Sequence, residues 1–109
     1  MISASLGRSG VRLAVAAALS LYLGVAHAEE SKVTIDNFTF APAELKVKVG
    51  DTVTWSNHDD IPHTVVSAGK FRSKAMDTDG SFSFTFTEAG EYKYFCSLHP
   101  HMTGVVKVE

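Results

Sequence analysis

From residue 32 onward, apolar residues recur at every second position, in short runs separated by Gly, Pro and Asp. "KVTIDNFTF" (32–40) sets Val33 and Ile35 two apart. "ELKVKVGDTVTW" (44–55) carries Leu45, Val47 and Val49, then Gly50-Asp51, then Val53 and Trp55. A period of two is that of a half-buried strand, and Gly-Asp between two such runs predicts a β-hairpin. "SFSFTFT" (81–87) alternates Phe82, Phe84 and Phe86 with hydroxyl residues, which directs an aromatic face to a core and a polar face to water. With "HTVVS" (63–67), "EYKYF" (91–95) and "GVVKVE" (104–109), the pattern predicts seven to eight short strands and no amphipathic helix. The fold class is therefore all-β, a sandwich or barrel. Gly90-Glu91-Tyr92 has the form of a tyrosine corner, in which a phenol bonds backbone just upstream. The segment "SAGKFRSKAMDTDG" (67–80) reads as a solvated connection, with Met76 at the surface. His58, beside Asp59 and Asp60, reads as solvent-facing.

The first 28 residues depart from this pattern. Arg8 and Arg12 are followed by an apolar run to about Val25, and Ala26-His27-Ala28 precedes two glutamates. That is the form of a secretory signal peptide cleaved after Ala28, with residues 29–109 as one small domain. Loss of Arg8 and Arg12 would set eight Lys and Arg against the 12 Asp and Glu of the chain. A mildly acidic exported domain is not a nucleic-acid binder. Export also bears on the single cysteine, which can form no internal disulfide in an oxidising compartment.

That cysteine lies in "CSLHPHM" (96–102), among thiolate, imidazole and thioether donors. Tyr92, Tyr94 and Cys96 share one strand face by period two, so an inward face for the tyrosines carries the sulfur inward as well. Pro100 ends the strand, and the chain must turn back before "GVVKVE". Such a loop can converge several side chains, and His63, after Pro62 in "NHDDIPHTVV", is the donor available from elsewhere. Two histidines, a cysteine and a methionine form the set of a blue-copper electron-transfer centre: two imidazoles and a thiolate in a plane, with a weak axial thioether.

"GEYKYFCSLHPHMTGVVKV", with "VTWSNHDDIPHTVV" upstream, resembles the plastocyanin, pseudoazurin and amicyanin group of cupredoxins, and amicyanin most nearly because its Cys-x-x-His-x-x-Met loop is the contracted form. The resemblance implies a Greek-key β-sandwich or barrel, one type 1 copper ion, and His63, Cys96, His99 and Met102 as its ligands. It implies a monomeric periplasmic carrier of single electrons, not an enzyme, without membrane insertion. The partners implied are redox proteins such as a periplasmic dehydrogenase and a c-type cytochrome. His101 neighbours Met102 and lacks the ligand spacing; it stands where amicyanins carry an apolar aromatic. Leu98 replaces a usual proline, and its retained amide is expected to donate to the Cys96 sulfur. Thr64 replaces a frequent asparagine, so the family's side-chain bridge to the residue after the cysteine, here Ser97, is not assured by the resemblance.

Three other readings compete. A Cys96 nucleophile with a histidine base has no accompanying oxyanion-hole signature. Structural zinc ordinarily takes no methionine. A copper-binding or delivery protein without an electron-shuttle role uses the same donors.

Overall fold

The computed structural model describes residues 28–109, so the leader, residues 1–27 of the expected signal peptide, lies outside the described residues. Nine strands run in order: β1 Glu30–Asp36, β2 Thr39–Ala41, β3 Glu44–Val47, β4 Thr52–Asn57, β5 Val66–Ser67, β6 Phe71–Arg72, β7 Ser81–Thr85, β8 Gly90–Phe95 and β9 Thr103–Val108. They form a four-stranded sheet, β2-β1-β4-β7, facing a five-stranded sheet, β3-β9-β8-β5-β6. This is the expected all-β sandwich. The count exceeds seven to eight because β5 and β6 are two-residue strands within stretches too short to show a period. Among the described residues no helix is long and apolar enough to cross a membrane.

Alternation places the core as expected. Val33 and Ile35 of β1, Val53 and Trp55 of β4, Tyr94 of β8, and Val106 and Val108 of β9 are buried, with Phe40 of β2 and Phe86 beside them. The Phe82, Phe84 and Phe86 stripe packs on Trp55, Phe71 and Tyr92 at ring-centroid distances of 4.8–6.1 Å. Aromatic pairs at this spacing bury large apolar area and add specific edge-to-face attraction. On the outer face of the four-stranded sheet the hydroxyls pair across strands, Thr52 with Thr85 and Thr54 with Ser83, each at 2.7 Å.

The hairpin expected around Gly50-Asp51 does not form. β3 pairs in parallel with β9, whereas β4 pairs in parallel with β1 and antiparallel with β7, so the segment between them crosses from one sheet to the other. Alternation shows which side chains face the core but not which strand lies alongside, and both arrangements bury Val47, Val53 and Trp55. The turn itself is present: Gly50 takes φ 97, where a side chain would be strained. Asp51 stabilises it by accepting from the amides of Lys48 at 2.8 Å and Glu29 at 2.9 Å, which also fastens the start of β1. The real hairpin lies within "KVTIDNFTF". β1 and β2 pair antiparallel across Asn37-Phe38, both with positive φ, a two-residue primed turn.

Residues 67–80 are more ordered than a solvated connection. β5 and β6 pair through a turn at Gly69, and Phe71, Ser73 and Met76 are buried. The corner at Tyr92 is as expected, its hydroxyl donating to the Glu88 carbonyl at 2.8 Å.

Two outcomes follow for the scaffold. A Cβ at position 104 would overlap the buried Tyr94 hydroxyl, so Gly104→Ala lowers unfolding free energy by about 1–3 kcal/mol in denaturant titration, the usual cost of overpacking. The amides of Glu29 and Lys48 hold the Asp51 carboxyl below its ordinary range. Its stabilisation is therefore complete above the unfolded carboxylate value of about 3.9 and fades as pH falls through the lower folded value. Asp51→Asn accordingly shows a smaller loss of thermal midpoint than the parent between about pH 4 and pH 2.

Candidate metal centre

His63 is delivered by a loop that one buried side chain shapes. Asn57, at the end of β4, is fully buried; its Nδ2 donates to the carbonyls of Ile61 and Met76, each at 2.9 Å. Its Oδ1 accepts from the Asp59 amide at 3.0 Å. A buried amide with both ends satisfied fixes the chain around it. His63 and Met76 then exchange two backbone hydrogen bonds, of 3.2 and 2.8 Å. Met76 is thus a buried packing residue, against the surface position expected for it. The sequence places it in a polar stretch, and the pairing that pulls it inward is long-range.

The His63 ring is completely buried, and its Nε2 lies 2.8 Å from Asp59 Oδ2. The Phe38 amide foremost, opposed by burial and helped by His63 and the Asn37 amide, keeps the Asp59 carboxyl below its usual range, hence ionised and acceptor-only. The imidazole proton therefore sits on Nε2, and the Nδ1 lone pair is free to bind. Nδ1 points at the Cys96 sulfur, 3.7 Å away.

Cys96 follows β8 directly and is buried on the face it shares with Tyr94, as period two requires. Three backbone bonds tighten the loop beyond it. The His99 amide donates to the Cys96 carbonyl at 3.2 Å, the Met102 amide to the His99 carbonyl at 2.9 Å, and the Cys96 amide to the Met102 carbonyl at 3.1 Å. His99 Nδ1 is brought to 3.7 Å from the Cys96 sulfur. Met102 is buried beside it at 5% exposure, whereas His101 is exposed, so the loop turns one imidazole inward and the other outward.

The donor atoms of His63, Cys96 and His99 lie within 4.8 Å of one another. Both sulfur–nitrogen separations are 3.7 Å. Two donors about 120° apart around an ion, with bonds of about 2.0 and 2.3 Å, are separated by roughly 3.7 Å, so each imidazole nitrogen stands from the sulfur as two ligands of one first-row metal would. A thiolate with two imidazoles is also the donor chemistry that suits copper in both oxidation states.

The sulfur is held from a second side by Thr64. Its amide donates to Sγ at 3.3 Å and its hydroxyl lies 3.7 Å away. The expected bond from the Leu98 amide is not among those the sulfur receives. The amide that reaches it belongs to the residue after the other histidine, because β5 and β8 are neighbours, pairing at Val66 and Phe95. Thr64 Oγ1 also accepts from the Ser97 amide and bonds the Ser97 hydroxyl, both at 2.8 Å, so threonine makes the bridge that the resemblance had not assured.

Asp59 and Phe38 were not among the candidate residues. Phe38 is half exposed, and its ring stands edge-on to His63 and His99 at centroid distances of 5.4 and 5.1 Å. The only sequence signal for either is an aromatic in a turn and an acid four residues before a histidine, both common.

Burial pushes the Cys96 thiol up, but in the metal-free protein the Thr64 amide foremost, the His63 and His99 imidazoles where they carry a proton toward the sulfur, and the Thr64 hydroxyl outweigh it and bring its pKa down to about 6. An unfolded thiol titrates near 8.5, so the metal-free fold gains stability as pH rises from about 6 to about 8.5 and loses it on return. The unfolding midpoint of metal-free protein therefore rises across that window, and Cys96→Ser removes the rise.

Comparison with known proteins gives a consistent result. The family described as copper binding proteins, plastocyanin/azurin family, matches residues 27–109. Amicyanin of Paracoccus denitrificans is 42% identical over 83 residues, covering 71% of this chain, and amicyanin of Paracoccus versutus is 40% identical over the same length. The match spans 63% of the length of each of these two relatives. A chloroplastic plastocyanin of Tetradesmus obliquus is 35% identical, with 97% of this chain and 83% of that protein covered. Among solved structures, the Cu(I) form of a single-residue variant of amicyanin superposes with a TM-score of 0.71 at 40% identity, over 80% of this chain and 88% of that one. A purple cupredoxin from Nitrosopumilus maritimus gives 0.70 at 34% identity, over 72% and 99%.

Proposed function

Because the chain belongs to the plastocyanin/azurin family of copper-binding proteins, we propose that it carries single electrons, with its copper ion held by His63, Cys96, His99 and Met102. The observation that carries this reading is the spacing of three donor atoms, two imidazole nitrogens each 3.7 Å from one buried sulfur. Bound copper supplies a couple between Cu(II) and Cu(I). The residues supply the rest. Asp59 holds the proton of His63 on the far nitrogen, Thr64 offsets charge on the sulfur, and the loop bonds between Cys96 and Met102 keep the donors in place when that charge changes. Donors that do not move add little reorganisation to electron transfer.

The same burial separates this reading from copper delivery and from catalysis. His63 and Cys96 are fully covered and Met102 nearly so, which favours holding an ion over passing it on or admitting a substrate. Only His99 reaches the surface, and two of the exposed large apolar side chains, Phe38 and Leu98, lie beside it. An apolar patch around the emerging ligand suits brief docking of redox proteins, for which a periplasmic dehydrogenase and a c-type cytochrome are the partners that the family resemblance suggests. The leader supports export to the periplasm with cleavage after Ala28. Cleavage there would turn the Glu29 nitrogen, 2.9 Å from Asp51, into the ammonium of the mature chain and strengthen that bond.

Stoichiometric Cu(II) added to the metal-free protein yields an intense blue thiolate-to-copper charge-transfer band, which Cys96→Ser abolishes. Copper also raises the thermal midpoint, since it binds the native state. A colourless Cu(II) form would overturn the assignment in favour of a carrier of copper or another metal.

A further inference from the structure

Phe38 stands in a backbone conformation that does not suit it. Asn37 has φ 51 and Phe38 φ 58, the two central positions of the β1–β2 turn. Turns of this type take Asn readily at the first position and Gly at the second; a bulky aromatic with positive φ is an outlier. Nothing in the core requires it, because the side chain is 49% exposed. An outlier held in place despite its cost points to a role outside folding.

Two further observations say which role. The Asn37 and Phe38 amides both donate to the Asp59 carboxylate, at 2.6 and 2.9 Å, and the oxygen that takes the Phe38 amide is also the partner of His63 Nε2. The turn and the His63 ring are thus fastened to one group. The Phe38 ring in turn meets both imidazoles nearly at right angles, at interplanar angles of 83° to His63 and 90° to His99, within the distance range of favourable edge contacts. His63 and His99 stand 4.9 Å apart, so a single ring braces the pair and covers them on the solvent side.

We propose that Phe38 is a positioning residue of the metal centre: its ring, held by the Asp59-bonded turn, fixes the tilt of His63 and His99 and keeps water from the ion between them. This rests on the reading of those histidines as copper ligands. Glycine at position 38 would relax the turn and delete the ring, so fold and centre respond in opposite directions. A residue serving only the fold cannot produce that pair of effects.

The test compares Phe38→Gly, Phe38→Leu and Phe38→Tyr with the parent. Metal-free Phe38→Gly is expected to unfold at equal or higher denaturant, while the ring-proton NMR signals of His63 and His99 broaden. Its copper-loaded form releases copper to a chelator about tenfold faster, the low end of what losing a ligand's supporting neighbour costs. Phe38→Tyr restores both readouts and Phe38→Leu, which keeps apolar bulk without a ring, does not; Phe38→Leu also stands in if the glycine variant fails to fold. Parental imidazole line widths and parental release in the glycine and leucine variants would overturn the proposal. Failure of the parent itself to form a blue Cu(II) complex would overturn the ligand assignment instead, while the metal-free NMR comparison still decides whether the ring orients the imidazoles.

Discussion

The metal end of the molecule depends on one junction, the bonds from Thr64 to Cys96 and Ser97. Thr64 follows His63 in the chain, and Ser97 follows Cys96, so tying the two successors together sets the distance between the two donors. The junction exists because β5 and β8 are adjacent in one sheet, and its Thr64–Cys96 half is buried, where a hydrogen bond left unmade costs more than one in water. Separate the two segments and each donor becomes ordinary: a core histidine, a buried thiol, a packing methionine. The chemistry belongs to the pairing rather than to either loop.

The same junction accounts for the state of the sulfur. An anionic sulfur out of water is unfavourable unless fixed donors face it, and here the Thr64 amide and hydroxyl do so. Those donors are already oriented by the backbone, so placing charge on sulfur requires no rearrangement. A site that tolerates a change of charge without moving is what a one-electron couple needs. Burial also protects the lone cysteine, since a thiol with no exposed surface meets no oxidant or second thiol.

How far the sequence was legible follows the range of the forces involved. Strand content and core face were readable from alternation, because burial acts residue by residue: Val33, Ile35, Val53, Trp55 and Tyr94 all lie where period two puts them. Strand partners were not readable. The Gly50-Asp51 turn looked the same whether β3 and β4 paired or parted, and only competition among whole sheets decides it. At the metal centre, Cys96 and His99 could be picked out because their spacing is local and their chemistry scarce, and His63, 33 residues from Cys96, because the loop needed a donor from elsewhere. The supporting groups could not. The amide on the sulfur comes from Thr64 rather than Leu98, and Met76 is drawn inward by backbone pairing with a residue in another loop. Asp59 and Phe38 act through a turn whose strained φ values no composition reveals.

Stability and chemistry are also divided along the sandwich. Away from the Cys96–Met102 loop, the features that hold the scaffold, Tyr92 bonding Glu88 and Asp51 fastening the start of β1, share no hydrogen bond with the donor atoms. The unfavourable features gather at the other end: two residues with positive φ, a buried anionic sulfur, and Phe38 and Leu98 exposed to water. Sites remote from one another with no shared partners contribute independently. A scaffold secured this way keeps its donors in place before any metal arrives, and the metal then adds to a fold it did not have to create. That order of dependence lets the metal end retain strained and exposed residues, because the aromatic core between the sheets does not rely on them.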